Sequence, residues 1–231
     1  MEEIGFYFRS ALSATCVVFG FDGKQLKVLL HKKPTEPMKG HWSLPGEMVY
    51  PNEEIEQKVD KLILSFTGLT QFYKKQIRAF ADTSRHPLGR VIGIGYYAFV
   101  DLKEFKASDD PNFNGEWFDF RSIPDLAFDH NEIVAAGHRR LLAKMTTQLT
   151  GFELLPEEFT LSQLQNLYEG VLGLSLDKRN FRRKVLSHNV ILDLDKPLQP
   201  YEGSGKAPML HKLDRKKYNE LKAGGYRFDL F

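Results

Sequence analysis

Cysteine is almost missing from this chain: Cys16 is the only one in 231 residues. That excludes an internal disulfide framework and fits a reducing cytoplasm. Cys16 sits in the apolar run Ala14 to Phe19, so it reads as a buried core thiol. No apolar run approaches the roughly 18 to 20 residues of a membrane span. Met1-Glu2-Glu3 lacks the basic region and apolar core of a secretory signal. A cytoplasmic protein without a membrane partner is therefore expected. A surplus of one charge is also missing, since the formal net charge is only +2.

That balance conceals an asymmetry. Of the 32 Lys+Arg and 30 Asp+Glu, residues 151–231 hold 13 and 11, so residues 1–150 balance at 19 of each. All the excess positive charge lies in the last third. There, Lys178, Arg179, Arg182, Arg183 and Lys184 fall within seven residues that include no acid. Such local concentration is what a nucleic-acid footprint requires.

The order of elements suggests two domains, 1–150 and 151–231. In the first, Ala14 to Phe19 and Leu26 to Lys33 read as strands joined by the turn signal Asp22-Gly23. A helix from about Asn52 to Thr67 follows, then strands at Phe72 to Ala81, Arg90 to Val100 and Gly115 to Phe120. Asp129-His130-Asn131-Glu132 reads as a capping box that opens a helix to about Met145. This order suits an α/β/α sandwich on a mixed sheet. In the second domain, Thr160 with Gln163 starts a helix that Gly173 ends, and Asp177 caps another reaching about Ser187. Strands Val190 to Leu194 and Met209 to Leu213 flank the Pro- and Gly-rich loop 197–208, and a last helix runs from Asp214 to Ala223. Helix, short turn, helix and a long-tipped hairpin is the order of a winged helix-turn-helix.

At 100° per residue, Phe181 and Val185 define the buried side of the second of these helices. Arg179, Asn180, Arg183 and Ser187 then fall opposite, with Arg182 and Lys184 on the flanks. Arginine can bond bidentately to guanine and asparagine to adenine in the major groove, while Lys178 and the flanking cations suit phosphates. Lys206 in the wing adds a further phosphate contact. A helix-turn-helix of this kind implies double-stranded operator DNA and a homodimer. The blander alternative is a protein-interaction module with a solvated basic face.

The most informative absence lies between Trp42 and Leu69. The segment Trp42-Ser43-Leu44-Pro45-Gly46-Glu47 to Gly68-Leu69 resembles a Nudix box stripped of its carboxylates. The pattern's first Gly falls on Glu47 and its first Glu on Glu53. Its Arg-Glu pair falls on Lys61 and Leu62, and its Glu-Glu pair on Ser65 and Phe66. Positions 62, 65 and 66 share a helix face, yet Leu, Ser and Phe cannot hold the hard divalent cation such hydrolases use. Ile55, Val59, Leu62, Ile63 and Phe66 still mark an amphipathic helix. Glu53, Glu54 and Glu56 remain, and acids at a helix start complement its dipole.

Together with Gly95-Tyr96-Tyr97-Ala98, Leu126-Ala127-Phe128-Asp129-His130, Phe159-Thr160-Leu161 and Asn180-Phe181-Arg182-Arg183-Lys184, these features resemble the Nudix-related transcriptional regulators, NrtR. The resemblance covers nearly the whole chain and implies a dimeric bacterial repressor whose Nudix-like domain senses a small molecule. Some members respond to ADP-ribose and control NAD metabolism; others sense sugars. The arabinose-responsive branch is the nearest likeness. Glu47 at the cleft floor argues the same way, because a carboxylate there repels a diphosphate and suits hydroxyl groups. A sugar effector such as L-arabinose is thus expected, held by Lys32, Trp42, Glu47, Asp82, Tyr96 and His130, with no metal, cofactor or catalysis. The alternatives are an ADP-ribose-responsive regulator, or a relict hydrolase using Glu53, Glu54 and Glu56.

Overall fold

A computed structural model describes residues 10–102, 105, 115–147, 149–200, 203 and 205–226. They divide into two compact units. One runs to Arg140 without Gly23–Gln25, and the other holds Gly23–Gln25 and everything from Leu141.

The first unit is built on a seven-stranded mixed sheet. Its axis is the parallel pair β1 (Ala11–Phe21) and β6 (Val91–Asp101), in register along all eleven residues. A strand covered on both faces needs apolar residues at consecutive positions, and Cys16, Val17, Val18 and Phe19 are all fully buried. Burial pushes the Cys16 thiol well above its ordinary pKa, as expected of a core thiol. On one side β1 pairs with β2 (Leu26–Lys32) and with β4 (Gly46–Met48). β2 also carries β3 (Trp42–Ser43) and β7 (Gly115–Asp119). On the other side β5 (Tyr73–Phe80) pairs with β6 through a bulge at Ile77.

Alternation along β1 sends neighbouring side chains to opposite faces. Cys16 and Val18 share a cluster with Val59, Leu62 and Ile63 of helix α1 (Ile55–Thr67), where Ile55 and Phe66 pack at the edge. Val17 and Phe19 face helix α2 (His130–Thr147) instead. A Cβ on Gly137 of α2 would lie 3.3 Å from side-chain carbons of Val17 and Ile77, so glycine permits the close approach. One helix on each face gives the expected α/β/α layering. The capping box expected at the start of α2 is not how its acids are used. Both Asp129 oxygens accept from Arg85, and Glu132 accepts from Arg78.

In the second unit a three-stranded sheet, β8 (Glu158–Phe159), β10 (Met209–Leu213) and β9 (Ile191–Pro197), accompanies helices α3 (Leu161–Leu172), α4 (Lys178–Ser187) and α5 (Arg215–Ala223). Thr160 and Gln163 form the expected reciprocal capping box, at 3.1 and 2.7 Å. Gly173 ends α3 in the left-handed region at φ 74°. Asp177 caps α4 by accepting from the Asn180 N–H at 2.8 Å. The fully buried Tyr168 ring lies 5.6 Å from that of Phe181, tying α3 to α4. In the wing tip, Tyr201, Glu202 and Ser204 lie outside the described residues.

Candidate functional site

In the first unit a cavity of about 260 Å³ opens where β1, β4, the loop after β2, the loop 82–89 and the start of α2 converge. Its chemistry is mixed. Ser13, Thr15 and Ser43 bring hydroxyls, Lys33 and Arg85 bring cations, and Phe128 brings an aromatic face. His86 stacks on Phe128 with centroids 5.0 Å apart and 20° between planes, and Lys33 Nζ stands 5.2 Å above the same ring. Burial lowers the pKa of both Lys33 and His86. Arg85 is fixed rather than floppy. Its side chain is 5% exposed, with Nε and Nη2 donating to the two Asp129 oxygens at 2.8 and 2.7 Å. It also lies against Gly93 of β6, where a Cβ would meet Nη2 at 2.9 Å.

Two of the six expected effector residues line this cavity, Glu47 and His130. His130 is buried, and burial pushes its pKa down to about 3, so it is neutral. Its Nδ1 accepts the Leu44 N–H at 3.1 Å, which places the ring proton on Nε2 as a donor. Asp82 belongs to an adjoining cavity of about 540 Å³ that shares Arg85 and Phe128 as a wall. The Ser84 hydroxyl and N–H donate to its carboxylate, holding it below the usual range. The other three stand elsewhere. Tyr96 is 4% exposed and belongs to the core under α1, because its place on the central strand β6 turns it inward. Trp42 packs edge-on against Phe118 at 4.8 Å, and the exposed Lys32 holds Nζ 5.1 Å from the Trp42 ring. Both lie outside the cavity's lining, Lys32 at the end of β2 and Trp42 opposite it on β3, where the indole packs on Phe118 of β7.

Glu47, expected as a carboxylate at the cleft floor, lines the cavity with its charge paired. Its Oε2 sits 2.5 Å from Lys58 Nζ, and Lys58 also reaches Glu53 at 3.5 Å. The hydrogen bond to Glu47 is the chief reason that the Lys58 pKa is raised, so the ammonium is retained. Glu53 further accepts the Tyr50 N–H at 3.0 Å, and this bond lowers its pKa. A divalent ion does not fit the positions that the Nudix pattern gives to glutamates. Leu62 is 2% exposed within the core, Ser65 donates its hydroxyl to the Leu62 carbonyl, and Phe66 packs edge-on against His31 at 4.9 Å. Among the described residues no group of three His, Cys, Asp or Glu side chains could hold a metal ion.

In the second unit, α4 is divided as its periodicity requires. Phe181 and Val185 are buried, whereas Lys178, Arg179, Asn180, Arg183 and Ser187 are exposed. Arg183 Nη2 donates to Asn180 Oδ1 at 3.1 Å, which aligns these two side chains on the exposed face. Lys184 is half-buried on the flank, and so is Arg182, whose Nη2 donates to Ser162 Oγ of α3 at 3.2 Å. A groove of about 730 Å³ beside the helix is lined by Leu174, Leu176, Asn180, Arg183, Lys184 and Ser187. Lys206 is exposed where the wing re-enters β10. No described helix is long and apolar enough to cross a membrane.

Comparison with known proteins locates these features. Residues 151–213 match the model of the NrtR DNA-binding winged helix domain. The chain is 29% identical over 188 residues to an ADPR responsive transcriptional repressor of Acinetobacter baylyi, spanning 80% of this chain and 75% of that protein. It is 36% identical over 127 residues to an ADP-ribose pyrophosphatase of Methanocaldococcus jannaschii, spanning 55% of this chain and 75% of that one. The crystal structure of Shewanella oneidensis NrtR complexed with a 27mer DNA superposes with a TM-score of 0.78 at 26% identity. That match covers 94% of this chain and 97% of the other. A Nudix-like α/β domain followed by an NrtR-type winged helix is thus the arrangement this chain shares with the NrtR regulators it matches.

Proposed function

We propose that this protein is a transcriptional repressor that binds operator DNA through α4 and the wing, and whose Nudix-like domain binds ADP-ribose without cleaving it. The domains extend over 1–150 and 151–231, and the working unit is a homodimer matched to a two-fold operator. The observation that carries the DNA reading is the solvent face of α4. Arg179, Asn180, Arg183 and Ser187 share that face over a buried Phe181 and Val185.

The effector reading turns on Glu47. A carboxylate at the cleft floor favours a neutral sugar such as L-arabinose, but Lys58 pairs with it and offsets its charge toward a diphosphate. The lining further offers Lys33, hydroxyls and the His86–Phe128 stack, with the Arg85 guanidinium set in the wall and paired with Asp129. Cations for a diphosphate, donors for ribose hydroxyls and an aromatic face for a base suit ADP-ribose better than a pentose. The A. baylyi relative is named as ADPR responsive, which supports the same reading. A second reading, hydrolysis, is favoured by the similarity to an ADP-ribose pyrophosphatase. It is opposed by Leu62, Ser65 and Phe66, which offer no carboxylate to a metal.

The test is a mobility shift on DNA upstream of the protein's own gene, titrated separately with ADP-ribose, L-arabinose and other pentoses. Loss of the shifted band with ADP-ribose alone supports the proposal. A response to arabinose alone restores the sugar reading, and insensitivity to all of them removes the sensor.

A further inference from the structure

We propose that the ammonium of Lys58 is the resident cation of the degenerate box, occupying the electrostatic role a divalent metal plays in a working Nudix groove. Three observations carry this. Nζ bridges Glu47 at 2.5 Å and Glu53 at 3.5 Å, and Glu47 lines the cavity. The Lys58 side chain is only 10% exposed, although it lies in the second turn of an amphipathic helix. Nζ also stands 5.7 Å from the Tyr50 ring, a further cation-binding surface. An exposed helix lysine has no reason to be drawn in this way; one that bridges two carboxylates, offsetting half of their charge, has.

The substitution separates binding from chemistry. A divalent ion neutralises carboxylates, bridges phosphate oxygens and lowers the pKa of a bound water until it becomes a nucleophile. A lysine ammonium offsets carboxylate charge and can donate to phosphate oxygens, but it cannot perform the last of these. It is tethered, so occupancy does not depend on metal supply, and it has no open coordination position in which to activate water. A receptor that consumed its ligand would erase its own signal, so a groove with a built-in monovalent cation suits sensing. The cation claim stands on the geometry; its consequence for the ligand rests on the effector reading above.

Mn²⁺ titration of the full chain, followed by electron paramagnetic resonance, decides it. The free-ion signal is expected to persist undiminished for the wild type into the millimolar range. Lys58→Met, which strips Glu47 and Glu53 of their counter-charge, is expected to gain at least tenfold in Mn²⁺ affinity, and adding Glu47→Gln should abolish the gain. Micromolar Mn²⁺ binding by the wild type overturns the proposal, as does a folded Lys58→Met variant with no gain. The wild-type arm decides alone if the variant does not fold. Calorimetry with ADP-ribose supplies the separate arm: equal affinity, within twofold, in EDTA and in MgCl₂ is expected, and a tenfold dependence on Mg²⁺ contradicts a resident cation. If ADP-ribose binds in neither buffer, the effector reading fails while the Mn²⁺ result still judges Lys58.

Discussion

His130 shows how one side chain can hold a site together and set its response to acid. The ring is buried and accepts the Leu44 N–H, which fixes the turn from β3 into β4 against the start of α2. Its pKa falls from 6.5 in the unfolded chain to about 3 in the fold. The unfolded state therefore binds the extra proton first, and stability is full above pH 6.5 and lost as pH falls towards 3. Between pH 7 and 5 His130 alone should cost about 2 kcal/mol. Thermal melts across that range should fall more steeply for the wild type than for His130→Asn, whose side chain accepts the same N–H without titrating. Parallel curves would contradict a neutral His130. Arg183 offers a test at the same scale on the other unit. Arg183→Ala should weaken specific operator binding by about 1 to 3 kcal/mol and leave the melting temperature unchanged, because its side chain is exposed. Fluorescence anisotropy on cognate and scrambled duplexes separates this from a solvated-face role, in which both affinities stay as they were.

At the scale of elements, α1 shows that the box now serves the core. Leu62→Glu restores the pattern's glutamate, yet places a carboxylate where 2% of the residue is exposed. The expected outcome is destabilisation of at least about 3 kcal/mol with no gain of pyrophosphate cleavage. Denaturant melts and a phosphate-release assay check the two halves, and a stable variant with turnover would refute them. Periodicity made such elements legible: the apolar stripe of α1, the Phe181 and Val185 side of α4 and the doubly buried run of β1 all stand where spacing put them. The cavity was far less legible. Ser13, Thr15, Lys33, Arg85, His86 and Phe128 come from separate strands and loops, and spacing within a segment carries no trace of which segments meet. Arg85 had one faint signal, a cation in a long loop beside a histidine. Lys58 had none, since an inward lysine on an amphipathic helix reads as a surface charge. Tyr96 misled in the opposite sense, because a polar-tipped aromatic on a central strand packs in the core.

For the whole molecule, the excess positive charge of residues 151–231 should appear as salt dependence. Each phosphate contact adds about 0.9 to the slope of log affinity against log salt. Lys178→Ala and Lys206→Ala should each lower that slope by about 1 while leaving sequence preference unchanged. A variant that changes preference instead would move these lysines from phosphates to bases. Release of DNA by an effector further requires that the effector prefer the DNA-incompetent state. A hundredfold preference corresponds to about 2.7 kcal/mol of coupling, and operator DNA must weaken effector binding by the same factor. That reciprocity makes one titration decisive. The full chain, held in EDTA on a labelled duplex from upstream of its own gene, is titrated with ADP-ribose while anisotropy reports bound DNA and chromatography reports intact ligand. Release of the duplex with every ADP-ribose molecule recovered whole is the expected result; undisturbed binding, or release only with Mg²⁺ and cleavage to AMP, contradicts a metal-free sensor.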